Sequence, residues 1–169
     1  MAEPEELFDF TIVTPSQGDE AARVEQICFP PNEACAYKDM ISRVEYAPEL
    51  FLVAIDRQTG EIAGSLNGIA TDEEAFRDEF FTDITLHDPK GKNIMLLGLS
   101  VLPQYRRRGL ARALVKRYSE IQREQGRRSL ILTCLDEKVG MYESFGFKDL
   151  GISASTWGGE SWHELKYDL

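Results

Sequence analysis

Histidine and cysteine are scarce in this chain of 169 residues, which has only His87 and His163 and only Cys28, Cys35 and Cys134. The odd cysteine count and the lack of any Cys-x-x-Cys argue against a disulfide scaffold and a zinc knuckle, so no metal is expected. No apolar run approaches the roughly 18 residues of a membrane helix, and no membrane partner is expected. The opening residues, Met1-Ala-Glu-Pro-Glu-Glu6, lack the basic and apolar stretches of a signal or transit peptide, so the expected location is cytoplasmic. Gly-x-x-x-x-Gly-Lys-Ser/Thr is absent, and no Gly-x-Gly-x-x-Gly follows a strand. P-loop and dinucleotide folds therefore have no support.

Positive charge is also in deficit: 19 Lys and Arg face 29 Asp and Glu, a net −10. Nine of those 19 basic residues fall between Arg106 and Arg128, opposed there only by Glu120 and Glu124. That segment carries +7, so the rest of the chain carries −17. Nucleic-acid binders are basic over the whole domain, so no nucleic-acid partner is expected. One basic element on an acidic body suits a small polyanion held locally, with the body attracting cations. A solvated helix with surplus arginines has the same charge pattern. The hydrophobic content of 43% and charged content of 28% are those of an ordinary globule. The length fits a single domain over residues 1–169.

Phe8 to Thr14 alternates apolar and polar residues and reads as a first strand. Ser16 to Cys28 reads as a helix, with Asp19 and Glu20 early and Ala22, Val24 and Ile27 as its apolar positions. Pro30 and Pro31 enforce a loop, and a second helix follows over Tyr37 to Tyr46. Leu50 to Ile55 and Ile62 to Ala70 read as an antiparallel hairpin. Thr71 to Lys92 is polar and acidic, with short helix potential, and is the longest irregular stretch. Asn93 to Leu102 reads as a strand buried on both faces, Gly109 to Gln125 as the clearest amphipathic helix, and Leu130 to Cys134 as another buried strand. A short helix over Lys138 to Ser144 and a strand pair, Ile152 to Thr156 with Ser161 to Tyr167, complete the chain. The expected fold is α+β, a mixed and mostly antiparallel sheet flanked by helices.

The chemistry concentrates in Leu99-Ser-Val-Leu-Pro-Gln-Tyr-Arg-Arg-Arg-Gly-Leu-Ala-Arg-Ala-Leu114. A buried strand turns at Pro103 and feeds an arginine-rich approach to a helix opening at Gly109. The first turn of a helix has free N–H groups and a partial positive charge, which together seat a phosphate. Gly109 and Ala111 leave room for a ligand to approach the backbone.

Arg106, Gly109 and Ala111 fill an Arg-x-x-Gly-x-Gly/Ala pattern that resembles GNAT-superfamily acyl-CoA N-acyltransferases. Met141-Tyr-Glu-Ser-Phe-Gly-Phe147, after the strand ending at Cys134, resembles the same superfamily. Pro48-Glu-Leu-Phe-Leu-Val53, Leu86-His-Asp-Pro89, Cys134-Leu-Asp136 and Glu164-Leu165 are similar to the arylalkylamine (serotonin-type) N-acetyltransferases. Phe29-Pro-Pro-Asn-Glu-Ala34 resembles their non-vertebrate, especially fungal, branch.

The resemblance implies acetyl-CoA as co-substrate. It places Leu99, Ser100 and Val101 beside acetyl-CoA at the strand end, and Arg107, Arg108, Gly109, Leu110, Ala111 and Arg112 around its pyrophosphate. Tyr142 falls beside the sulfur as general acid, and the Leu99 N–H is the donor to the thioester carbonyl. Phe29 and Trp162 fall where the family contacts an aromatic amine. The vertebrate pair of histidines on the central strand is replaced by Met95 and Leu97. The proton acceptor is therefore open among Glu33, Asp136 and His87, each of which also reads as a surface or capping residue. The implied activity is acetyl transfer to a small primary amine of the arylalkyl type. Polyamine or protein-amine acetylation and non-catalytic acyl-CoA binding are the alternatives. The oligomeric state is not legible.

Overall fold

The computed structural model describes residues 2–169. Helix α1 (Pro4–Leu7) leads into β1 (Phe8–Ile12). Helices α2 (Gly18–Cys28) and α3 (Tyr37–Tyr46) follow, then strands β2 (Phe51–Asp56) and β3 (Ile62–Thr71). A short helix α4 (Glu79–Thr82) interrupts the irregular stretch before β4 (Asn93–Val101). The long helix α5 (Leu110–Glu124), β5 (Ser129–Cys134), α6 (Val139–Ser144), β6 (Lys148–Ile152) and β7 (His163–Asp168) complete the chain.

The seven strands form one sheet in the order β1-β2-β3-β4-β5-β7-β6. Only β4 and β5 are parallel. This is the expected α+β architecture. Alternation along β3 divides the helices between the two faces. On one face Gly64 and Gly68 lie against Leu114 and Tyr118 of α5. On the other, Asn67 accepts from Arg43 of α3 at 3.0 Å, and its strand partner Gly98 meets Glu25 of α2. The Tyr118 hydroxyl donates to the Leu50 carbonyl at 2.9 Å, which ties α5 to the start of β2.

Two readings need correction. The expected strand at Ile152 to Thr156 lies earlier, at Lys148–Ile152. Gly146, with φ 110°, ends α6 in a tight turn and lets the chain enter the sheet at once, and the Asp149 carboxylate then caps the Gly151 N–H at 2.8 Å. Ile27 points to solvent, and the buried face of α2 is Ala21, Ala22, Val24 and Glu25. The short helix potential of Thr71 to Lys92 is realised as α4, whose Phe80 and Phe81 are buried.

Candidate active site

β4 and β5 pair only from Asn93–Ser129 to Met95–Ile131, although β4 runs on to Val101 and β5 to Cys134. Beyond that last rung the strands part. A residue without a partner marks the same place: Gly68 faces Leu96 and Asn67 faces Gly98, which leaves Leu97 as the extra residue of a β-bulge. A bulge bends and twists its strand, here away from β5. A cavity of about 650 Å³ opens in the wedge, lined by Leu96 to Leu99 on one side and Leu132 to Leu135 on the other.

One end of the cavity reaches the loop before α5. Arg107 has φ 64° and Gly109 φ 78°, with Arg108 between them outside the left-handed region. Alternation of this kind turns successive N–H groups into one concavity, an anion-binding nest. A left-handed arginine costs about 1–2 kcal/mol, so the surrounding structure enforces this shape. Gly109 caps α5, no acid lies in its first turn, and the first-turn N–H groups add their dipole. Arg106 holds the loop to the strand by donating from Nε to the Val101 carbonyl at 2.9 Å. Arg112 donates to the Ser144 carbonyl at 3.0 Å and so joins α5 to α6. The nest, the helix end and the arginines fit a diphosphate.

Tyr142 of α6 lines the cavity, held edge-on by Phe145 and Phe147 at centroid distances of 6.0 and 5.5 Å. Burial, then the neighbouring Cys134, raises its phenol pKa, and no hydrogen bond to a protein group offsets them. The hydroxyl therefore stays protonated and keeps its proton to donate.

Part of the wall is aromatic. Phe29, Phe81, Trp157 and Trp162 form it. Phe81 and Trp157 stack with centroids 4.5 Å apart. The Trp157 indole N–H donates to the Glu33 carbonyl at 2.8 Å, and the Trp162 indole N–H to the Trp157 carbonyl at 2.8 Å. These bonds lock the loop after α2 to the loop before β7. Glu33 stands in this wall. Partial burial raises its carboxyl pKa, and the nearby Glu160 and Glu137 raise it further, so acids converge at the mouth.

The other sequence candidates divide. Leu99, Val101, Arg107, Gly109, Leu110, Ala111 and Arg112 line the cavity, as do Phe29, Glu33, Tyr142 and Trp162. Ser100 does not: it is buried opposite Ser65 in the β3–β4 ladder. Arg108 turns away and lies over the Tyr105 ring at 5.8 Å. His87 is outside the cavity, a structural link whose Nδ1 accepts from the Ala70 N–H at 3.0 Å and whose Nε2 meets Glu49 at 2.9 Å. Asp136 is 93% exposed and contacts His163 at 3.2 Å. Met95 is buried in the sheet, while Leu97 lines the cavity. Lining residues that escaped the sequence reading include Phe81, Trp157 and Glu25. The Phe80-Phe81 pair in an acidic stretch was the available signal for the first.

Residues 19–147 match the model of the acetyltransferase (GNAT) family. The protein is a GNAT acetyltransferase. Its family and relatives make it an acetyl-CoA-dependent N-acetyltransferase that acts on amines. This GNAT chain is 29% identical to serotonin N-acetyltransferase of Mesocricetus auratus over 95% of its own length and 77% of that protein's. It is 29% identical to thialysine N-epsilon-acetyltransferase of Bos taurus over 47% of its length and 45% of that protein's. A solved structure of the GNAT-like decarboxylase GphF in complex with isobutyryl-CoA superposes with a TM-score of 0.81 at 18% identity, covering 95% of this chain and 98% of that one. At that identity the match speaks for the fold alone. Among the described residues no helix is long and apolar enough to cross a membrane.

Proposed function

We propose that this GNAT enzyme transfers acetyl from acetyl-CoA to the primary amine of an arylalkylamine, of the tryptamine, serotonin or phenylethylamine type. The observation that carries the reading is the lining of the cavity, in which four aromatic side chains share the wall with Glu33 and the acids near it. Aromatic faces accept an aryl ring and an adjacent ammonium, and the acids raise the local concentration of cations. The 29% identity to a serotonin N-acetyltransferase along most of both chains supports the same class.

Each role follows from position. The nest at Arg107 and Gly109, with the start of α5, holds the diphosphate of acetyl-CoA. This aims the acyl end along the wedge between β4 and β5. The Leu99 N–H, beside the bulge, donates to the thioester oxygen as charge grows there. Tyr142 gives a proton to the departing sulfur. Phe29 and Trp162 flank the aryl ring. Acetyl-CoA supplies the activated acyl group; the protein supplies alignment and proton transfer.

A thiol-release assay with acetyl-CoA and tryptamine, phenylethylamine, spermidine and a peptide N-terminus tests the class. The aryl-ethylamines should give the highest kcat/KM. Preference for spermidine or the peptide would reject the arylalkylamine reading and leave the acetyltransferase standing.

A further inference from the structure

The acceptor amine needs a proton acceptor, and the three sequence candidates are poorly placed for it. His87 and Asp136 lie outside the cavity, and Glu33 is at its mouth. A fourth carboxylate lies deeper. Glu25 of α2 is 97% buried (3% exposed) and lines the cavity. Its Oε2 accepts the Cys35 N–H at 3.1 Å. Its Oε1 has no hydrogen-bond partner among the described residues. That free oxygen is aimed at the bulge: a Cβ at residue 98 would sit 3.0 Å from it. Oε1 itself is buried, and Gly98, which lines the cavity one residue from Leu99, places no side chain beside it.

We propose that Glu25 Oε1 receives the ammonium proton of the acceptor amine, a role that rests on the acetyltransferase reading above. A primary alkylamine with a pKa near 10.4 is only about 0.04% neutral at pH 7, so deprotonation is a real barrier. The ammonium gives one proton to the carboxylate and becomes a neutral amine. Its lone pair forms the C–N bond as the C–S bond breaks. The second proton on nitrogen balances the thiolate, and Glu25 returns the first to solvent.

The surroundings suit a carboxylate that ionises reluctantly. Burial pushes its pKa up, and the Cys35 N–H and Arg43 pull it part of the way back. The titratable and charged groups facing it are Cys28 on its own helix, Cys35 on the loop beyond and Arg43 on α3. From the sheet, Gly98 and Asn67 face it and bring no charge. Arg43 does not neutralise it by contact, because its guanidinium is bonded to Asn67 Oδ1, the Phe81 carbonyl and Cys35 Sγ. A base with a pKa raised toward neutrality is the more effective one.

The test is the pH profile of kcat/KM for the best aryl-ethylamine in wild type, Glu25→Gln and Glu25→Asp. Glutamine keeps an acceptor for the Cys35 N–H, so it removes the charge and spares the helix contact. It should lower kcat/KM for the amine about 100-fold near pH 7. The KM for acetyl-CoA should stay unchanged. Wild type should show an acidic limb set by the carboxyl. In the glutamine variant that limb should give way to a rate rising tenfold per pH unit until the amine itself is neutral. The aspartate variant should keep the acidic limb at a reduced rate, which secures the result if glutamine impairs folding. An unmoved acidic limb in Glu25→Gln, or loss of the limb in Glu25→Asp, would overturn Glu25 and leave the acetyltransferase intact. Wild type that acetylates none of the amines would overturn both.

Discussion

Met95 and Ile131 form the last rung between the only parallel strands of the sheet, and the wedge opens immediately beyond them. The backbone groups that β4 and β5 would exchange past this rung are left facing the cavity. Continuous pairing there would close the site, and the bulge at Leu97 prevents it. One local irregularity thus opens the cavity that the diphosphate nest and the aromatic wall share.

Gly109 has φ 78°, so any side chain there is strained although space is available, the nearest atom to an added Cβ being Pro4 Cγ at 3.8 Å. Gly109→Ala should distort the nest while α5 stays packed through Leu114 and Tyr118. The expected outcome is a rise in KM for acetyl-CoA of about tenfold, equivalent to about 1.4 kcal/mol. Saturating kcat should change little. Steady-state kinetics at fixed amine checks it, and a changed amine KM with constant acetyl-CoA KM would contradict it.

Tyr142→Phe removes a hydroxyl and keeps the ring that packs on Phe145 and Phe147. Turnover should fall about 10- to 100-fold with the acetyl-CoA KM unaltered. Burial and Cys134 hold the phenol pKa above its usual 10, so deprotonation of Tyr142 should not limit wild-type kcat as pH climbs through 10. The same shift affects stability. A group whose folded pKa is raised contributes fully below the unfolded value of 10 and loses that contribution as pH rises toward the folded value. Thermal melts from pH 8 to 11 should show a steeper alkaline decline in wild type than in Tyr142→Phe.

Most of the frame is legible from sequence patterns because local chemistry sets it. Two-residue alternation, a capping glycine and paired prolines mark β1, α5 and the Phe29–Glu33 loop without reference to the rest of the chain. The nest is equally local. The missed residues depend on distant partners. Glu25 reads as the polar face of α2 until Gly98, 73 positions later, is seen to leave room for it. Ile27 reads as core for the same reason, since the sequence does not show which face meets the sheet. Trp157 joins the site through its bond to Glu33, 124 residues away, and its stack on Phe81.

Trp157→Phe keeps an aromatic face against Phe81 and deletes the N–H that holds the Glu33 carbonyl. The loop after α2 should loosen, and the amine end of the cavity should lose definition. KM for an aryl-ethylamine should rise several-fold, on the order of the 1 kcal/mol that one hydrogen bond contributes. The acetyl-CoA KM should hold, because the bonds and the stack of Trp157 are to Glu33, Trp162 and Phe81 and not to the nest. Equal rises in both constants would mean a global change instead.

Arg43 is 2% exposed, and its guanidinium joins three separate parts of the chain: Asn67 on β3, the Phe81 carbonyl at α4 and Cys35 after α2. Arg43→Met keeps the unbranched apolar stem and has no donors. The Phe81 carbonyl and the Asn67 amide oxygen would then lose their partner in a buried place, and Glu25 would lose the cation that partly offsets its burial. A loss of about 3 kcal/mol is expected, which in a chain of this size lowers the melting temperature by about 6–12 °C. The melt should also become pH-dependent through Glu25, whose pKa would climb further without Arg43. A carboxyl with a raised folded pKa stabilises the fold most when it is protonated, so the destabilisation by Arg43→Met should shrink as pH falls from 8 to 5. Scanning calorimetry across that range decides it, and a pH-independent loss would mean that Arg43 acts on packing alone.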